Sequence, residues 1–125
     1  MGEFGVMTGL LIAGAILGLL AVGTGAFAAH VLKEKLAPEQ FTTFQVGAQY
    51  QMYHALAIVA SALFVSRAPR LTMSADVLFL LGIVLFSGSL YALSLTRLRK
   101  LGMIAPLGGL CFMGGWALLA VAISR

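Results

Sequence analysis

Charged residues divide the chain into four long apolar runs. The uncharged runs hold 100 of the 125 residues, at 4–32, 40–66, 77–96 and 101–124. A bilayer core about 30 Å thick is crossed by a helix of about 20 apolar residues. The pattern therefore predicts an all-α integral membrane protein, a single domain over residues 1–125 folded as an antiparallel four-helix transmembrane bundle. We expect its spans at residues 7–32, 47–66, 76–96 and 101–124.

The second run is longer than one span requires. Pro38 followed by Glu39 is typical of a helix start, because the first turn needs no proline N–H and the acid stabilises the positive end of the helix dipole. A helix from Pro38 to residue 66 would be about 43 Å long. We therefore expect residues 38–46 to form an interfacial helical entry segment that bends near Gly47 before the span.

The third and fourth helices are joined by the short basic segment 97–100, which predicts a tight hairpin. Ser74 is expected to cap the third helix, with Asp76 in its first turn. The fourth helix has two possible starts: Leu101, with a kink at Pro106, or Pro106 itself. The kink is favoured, because a helix from Pro106 would measure only about 28 Å.

Composition excludes several classes of protein. Hydrophobic residues make up 61% of the chain and charged residues 10%, against about 25% charged in soluble domains. This low charge and high hydrophobicity exclude a soluble enzyme. The single cysteine, Cys111, cannot form a disulfide within the chain and so excludes a secreted disulfide scaffold. The net charge of +4 comes from residues that flank the apolar runs and form no continuous stripe, which argues against nucleic-acid binding. The expected partner is the lipid bilayer, and the expected location is the cell membrane.

Basic residues also indicate an orientation. An even number of spans places both termini on one side of the membrane. The first and third connections carry five basic residues and the opposite side carries three, so the positive-inside rule predicts that both termini lie outside. The five are Lys33, Lys35, Arg97, Arg99 and Lys100, and the three are Arg67, Arg70 and Arg125.

Small residues recur on the first and last helices at helical spacing. In lipid, helices associate through close contact of their backbones, and small residues permit that contact. We expect helix-packing faces at Gly14, Gly18, Ala21, Gly25, Gly108, Gly109 and Gly115.

Four short motifs together resemble a known family. They are 25–30 (GAFAAH), 50–55 (YQMYHA), 85–93 (LFSGSLYAL) and 106–109 with 114–116 (PLGG, GGW). In this order and spacing the chain resembles the YgdD-like family of small integral membrane proteins, whose animal members are called transmembrane protein 256. Ala28 and Ala105 stand where that family usually has glycine and threonine. The resemblance implies a four-helix membrane fold and no established reaction.

His54 is the most informative polar residue inside a predicted span. Tyr50, His54 and Ser61 follow one helical face, and ionisable residues in spans usually face the bundle interior. We therefore expect the His54 imidazole to lie inside, hydrogen-bonded to Tyr91 or Ser87. The candidate polar pocket consists of His30, Gln49, Tyr50, His54, Ser87 and Tyr91.

Two functions remain open. No acidic residue lies beyond the first turn of a predicted span, which argues against a carboxylate-driven antiporter. Neither a metal-ligand spacing nor a catalytic set is recognisable, so we predict no metal and no cofactor and do not favour an enzyme. The glycine faces favour a structural or accessory bundle that forms a homo-oligomer or docks on a larger membrane complex. The alternative is a binding or transport protein for a small hydrophobic ligand or ion, and a cavity at His54 would favour it.

Overall fold

Helices account for nearly all of the structure, a computed structural model that describes the backbone of residues 2–125 and every side chain among them except that of Glu3. No strand occurs within these residues. The α-helices are α1 (Gly2–Phe27), α2 (Lys33–Lys35), α3 (Pro38–Ala60), α4 (Pro69–Gly82), α5 (Gly88–Thr96) and α6 (Ala105–Ser124).

Short irregular turns join these helices into four continuous rods. A π-helical turn at Ala28–Leu32 connects α1 to α2, and another at Ile83–Ser87 connects α4 to α5. A 3₁₀ turn at Ser61–Phe64 extends α3, and one at Arg99–Met103 precedes α6.

Successive rods run antiparallel. Gly14 of α1 faces Ile58 of α3, while Ala28, in the π-helical turn that follows α1, packs with Phe44 near the start of α3. The α4–α5 rod is likewise antiparallel to α3. Gly47, near the start of α3, lies against Tyr91 of α5, and Ser61, after its end, is hydrogen-bonded to Asp76 of α4. The α4–α5 rod packs on α6 in the same antiparallel sense, with Phe79 against Gly115 and Phe86 against Gly108. The predicted all-α antiparallel bundle is confirmed.

Three rods are long and apolar enough to cross a membrane: Phe4–Lys35, Pro69–Thr96 and Arg99–Ser124, with mean hydropathies of 2.3, 2.1 and 1.8 over an 18-residue window. The α3 rod is long enough but less apolar, because four glutamines between Pro38 and Met52 lower its hydropathy. It nevertheless packs along α1 from Ile58 back to Phe44. A helix that follows a spanning helix over that length passes through the same thickness of membrane.

The bend expected near Gly47 is absent, since α3 is continuous from Pro38 to Ala60. A Cβ at Gly47 would lie 2.9 Å from Cε1 of Tyr91, so the glycine allows close packing and does not mark a break. Residues 38–46 are the first turns of the same helix.

Two other expected boundaries are wrong. The α4 helix begins at Pro69, so Asp76 lies two turns inside the helix and not in its first turn. The α6 helix begins at Ala105 with Pro106 in its first turn, so the favoured kink does not form. Both prolines occupy a helix start, where a missing N–H breaks no helical hydrogen bond.

Candidate functional site

One face of α3 and its 3₁₀ extension carries polar side chains into the bundle. Gln51, His54 and Ser61 on this face are 4%, 5% and 0% exposed. Steps of four and three residues keep a stripe of side chains turned toward neighbouring helices. The stripe is Gln40, Phe44, Gly47, Gln51, His54, Ile58 and Ser61. It presents polar groups to other helices at several depths.

His54 lies near the middle of this helix, 16 residues after Pro38, or about 24 Å along the axis. Its Nε2 lies 3.2 Å from Nε1 of Trp116, and its Nδ1 lies 2.7 Å from the Tyr50 carbonyl oxygen. An indole N–H can only donate, so Nε2 accepts. Nδ1 therefore carries the proton and donates it to Tyr50. The imidazole is neutral, and both of its nitrogens are hydrogen-bonded.

Aromatic rings surround His54 and connect α3 to α6. The imidazole stacks on Phe112, with centroids 3.5 Å apart and planes 6° apart. Phe79 lies 5.6 Å from His54 and 5.2 Å from Trp116, in an edge-on arrangement with the indole. Tyr50 lies 4.7 Å from Phe86. The edge-on and tilted contacts of Phe79 and Phe86, with centroids 4.7–5.6 Å apart, are of the kind that stabilises aromatic clusters beyond the burial of their area.

Beside this cluster runs a groove between α3 and α6, open along one side. Its volume is about 470 Å³, within the range of small-molecule sites. Trp116 is 48% exposed there, whereas His54 is covered by the rings around it. The groove is lined by Tyr50, His54, Phe86, Pro106, Gly109, Leu110, Phe112, Met113 and Trp116.

A second polar contact joins three helices. The Tyr91 hydroxyl donates to Oε1 of Gln51 at 2.6 Å, and Nε2 of Gln51 donates to the Leu17 carbonyl at 2.8 Å. Tyr91 is thus bonded to Gln51, and the expected bond from His54 to Tyr91 or Ser87 does not form. His54 is instead turned toward α6. The Ser87 hydroxyl is fully buried and has no hydrogen-bond partner within the described residues.

The structure brings only part of the predicted pocket together. Tyr50 and His54 line the groove, while Ser87 and Tyr91 lie in the α3–α5 interface. His30 and Gln49 are exposed and do not approach His54. Gln49 precedes Gln51 by two residues, which turns it to the opposite side of the helix.

Gln51, Phe112 and Trp116 were missed by the sequence reasoning. The alternation of four- and three-residue steps along α3 is the signal that could have selected Gln51 in place of Gln49. No comparable signal marks Phe112 or Trp116, because their contact with His54 joins residues about 60 positions apart in the chain.

Only some of the predicted helix-packing residues lie between helices. Gly14, Gly108 and Gly115 lie in tight interhelical contacts, and Ala21 is buried. A Cβ at Gly18 would make only ordinary contacts, at 3.9 Å from Ala55 and Met52. Gly25 and Gly109 face open space, with no atom near the position of a Cβ.

A carboxyl group is buried in the half of the bundle nearest the α3–α4 connection. Asp76 is 0% exposed, and its Oδ2 lies 2.7 Å from Oγ of Ser61. Because α4 begins seven residues earlier than expected, Asp76 lies two turns inside it, and the prediction that no acidic residue lies beyond the first turn of a span is wrong. A carboxyl group is therefore present inside a spanning helix, and its absence no longer argues against carboxylate chemistry in the membrane.

At the other end of the bundle, Gln40 ties the start of α3 to the end of α5. Its Nε2 donates to the Ser94 carbonyl at 2.6 Å, and its Oε1 accepts from the Arg97 guanidinium at 2.6 Å and from the Ala37 N–H at 3.1 Å. Arg97 has φ +60°, a left-handed conformation that ends α5.

Comparison with known proteins places the chain in a family. Residues 24–109 match the family model described as a protein of unknown function, DUF423. Among relatives, the UPF0382 membrane protein YwdK of Bacillus subtilis is 45% identical, over 90% of this chain and 93% of its own length. The UPF0382 inner membrane protein YgdD of Escherichia coli is 42% identical, over 93% and 89%. The UPF0382 membrane protein of Staphylococcus epidermidis strain ATCC 12228 is 43% identical, over 90% and 92%.

These matches confirm the resemblance read from the four motifs. The chain belongs to the DUF423 family and is a small multi-pass membrane protein. No solved structure matches it.

Proposed function

We propose that this DUF423 membrane protein binds a small hydrophobic molecule with a flat ring, which enters the groove between α3 and α6 from the lipid phase. The groove of about 470 Å³ beside His54 is the observation that carries this proposal. All of its lining residues belong to uncharged runs of the chain, so we expect its open side to face the acyl chains and not water.

The lining favours a flat ring over a plain acyl chain. Tyr50, Phe86, Phe112 and Trp116 present ring faces and edges to one space. Aromatic pairs gain about 0.5–1.5 kcal/mol beyond the burial of their area, a gain that a saturated chain cannot match. The Tyr50 hydroxyl supplies a polar group that could hydrogen-bond a ring carbonyl or hydroxyl.

Intrinsic fluorescence tests the proposal, because Trp116 is the only tryptophan of the chain and lines the groove. The protein is placed in lipid nanodiscs and titrated with menadione, a flat quinone that partitions into lipid. Binding in the groove predicts saturable quenching of Trp116 on top of the linear quenching by menadione in the surrounding lipid.

Two glycine variants supply the comparison. Gly109 lines the groove and has no atom within 4 Å of a Cβ position, so Gly109→Leu fills the groove without a backbone clash. Gly88 of α5 is equally open but does not line the groove, so Gly88→Leu is the matched control. The saturable component should disappear in Gly109→Leu and persist in Gly88→Leu. Purely linear quenching of the unaltered protein would contradict the proposal.

A structural or accessory role is the second candidate, favoured by the hydrogen bonds of His54. Both imidazole nitrogens are bonded within the chain, so His54 offers no free group to a ligand and serves to hold α3 against α6. In this role the bundle would assemble with itself or with a larger membrane complex. Native mass spectrometry of nanodiscs formed directly from cell membranes tests it, and a mass equal to one 13.1 kDa chain would contradict it.

A further inference from the structure

Asp76 and Ser61 form a contact that the groove does not involve. Asp76 lies two turns inside α4, and Ser61 begins the 3₁₀ turn that follows α3. Both residues are completely buried. We propose that Asp76 carries a proton at neutral pH, which it donates to Ser61, so that the pair is a proton-binding site within the membrane.

The first argument is a count of protons. Oγ of Ser61 lies 2.6 Å from the Ile58 carbonyl oxygen and 2.7 Å from Oδ2 of Asp76. Both are hydrogen-bond lengths, but a hydroxyl has one proton to donate. An ionised Asp76 can only accept, and one of the two contacts would then bring bare lone pairs together. A proton on Oδ2 completes the chain, because Asp76 donates to Ser61 and Ser61 donates to Ile58.

The second argument concerns the other carboxyl oxygen. Oδ1 of Asp76 is buried and has no hydrogen-bond partner within the described residues. In an ionised carboxylate this oxygen would share the negative charge, and burying an unpaired charge is far more unfavourable than burying an unpaired neutral carbonyl. The neutral acid leaves Oδ1 as such a carbonyl.

The third argument is the surroundings of the pair. From α3 the polar group that faces Asp76 is Ser61, and His54 lies two turns deeper with both nitrogens bonded to Tyr50 and Trp116. Residues 4–32 and 101–124, which include all of α1 and α6 at this depth, contain no Asp, Glu, Lys or Arg. On α4 itself, Arg70 lies at the exposed start of the helix.

Within the same part of α4, Thr72 is buried one turn before Asp76, and its hydroxyl donates to the Phe64 carbonyl at 3.5 Å. The hydrogen bond that the Asp76 carboxyl makes is thus with the neutral hydroxyl of Ser61, and Oδ1 accepts none within the described residues, whereas a charged carboxyl inside a membrane would require a cationic or several donating partners.

The protonation state can be measured directly, because Asp76 is the only aspartate of the chain. Aspartate labelled with ¹³C at the side-chain carboxyl gives one signal in solid-state NMR of the protein in lipid. We expect the chemical shift of a neutral acid at neutral pH. Ser61→Ala removes the acceptor of the proton and should move this signal. A carboxylate shift at neutral pH would overturn the proposal.

A sodium ion is the competing occupant, and the same sample separates it from a proton. A sodium site would give a carboxylate signal that changes when sodium chloride replaces potassium chloride, and this result would also overturn the proposal. The neutral acid predicts a signal that does not depend on the salt.

A variant pair makes the test independent of the label. Asp76→Asn resembles the neutral acid, since its amide can donate to Ser61, so its melting temperature should equal that of the unaltered protein at neutral pH. Asp76→Leu, which cannot donate, should melt lower. The surface variant Glu39→Gln controls for the loss of one carboxylate. Strong destabilisation by Asp76→Asn would show that the charged form is the one the fold requires.

Discussion

The α1–α3 hairpin and the α4–α6 hairpin both contain glycine-rich helices, but they use glycine differently. In the first, Gly14 lies in a tight contact, where a Cβ would stand 2.7 Å from Cγ2 of Ile58, whereas Gly9, Gly18, Gly23 and Gly25 do not. In the second, Gly82, Gly108 and Gly115 all lie in such contacts, against Phe112, Phe86 and Phe79.

The difference shows what makes a small residue a packing residue in lipid. A glycine stabilises a helix pair only where another helix passes over it, because close backbone contact is the source of the attraction. Gly9, Gly23 and Gly25 lie on α1 with open space beyond them. Helical spacing alone does not distinguish these glycines from Gly14.

The largest effect is expected from Gly108→Ala in the second hairpin. The new Cβ would meet the backbone nitrogen and Cα of Phe86, which cannot turn away as a side chain can. We expect a loss of about 3 kcal/mol in the free energy of unfolding, at the upper end for overpacking. SDS-induced unfolding in mixed micelles measures it. Gly109→Ala is the adjacent control and should stay within about 0.5 kcal/mol; equal losses at the two positions would remove the contrast.

Next in size is the contact of His54 with Trp116, one of several that join the two hairpins. His54→Leu leaves the Trp116 N–H without its acceptor, and we expect a loss of about 1–3 kcal/mol. His54→Gln provides an amide oxygen at this site and should lose less. The same unfolding assay compares the two variants. If they are equally destabilised, the hydrogen bond to Trp116 is not what holds α3 against α6.

A smaller effect is expected from Gly14→Ala in the first hairpin. The obstructing atoms belong mainly to the side chain of Ile58, which can shift, so we expect a loss of about 1 kcal/mol. Ile58→Ala removes Cγ2, the nearer of the two obstructing Ile58 atoms, so the double variant Gly14→Ala, Ile58→Ala should lose less than the sum of the two single losses, measured as a coupling energy in a double-mutant cycle. Additive losses would show that the two residues do not contact.

Gly18→Leu tests a position that the sequence predicts to be in the packing face of α1 but that makes only ordinary contacts in the structure. Its Cβ fits, but the branched end of leucine would press on Ala55 and the flexible Met52. We expect a loss smaller than that of Gly14→Leu in the same unfolding assay. A larger loss at Gly18 would mean that α1 and α3 approach more closely there than at Gly14.

The smallest effect is expected from Gly23→Ala on the open face of α1. Nothing lies within 4 Å of the new methyl group, and alanine favours a helix over glycine by about 1 kcal/mol or less. We expect unchanged or slightly raised stability in the same assay. A clear loss would indicate that another molecule packs on this face.

Much of the fold follows from the sequence because its causes are local. The spacing of charges predicts four helical runs, and length and apolarity place them in a membrane. Short connections then make neighbouring helices antiparallel. The same local reasoning fails at helix boundaries: it places the start of the third helix seven residues late and so puts Asp76 in the first turn of that helix and not two turns inside it.

The sequence predicts only part of the candidate site. The sequence alone selects His54 and places it in the interior, since an ionisable residue within an apolar run has few other stable positions. Its partner Trp116, the stacking on Phe112 and the bond from Gln51 to Tyr91 were decided by tertiary structure. The span in α3 was predicted from its uncharged run, although its polar residues lower its hydropathy below that of the other three rods. The physical reason is that hydropathy and periodicity act within one helix, whereas a hydrogen-bond partner depends on how two helices are rotated and aligned against each other.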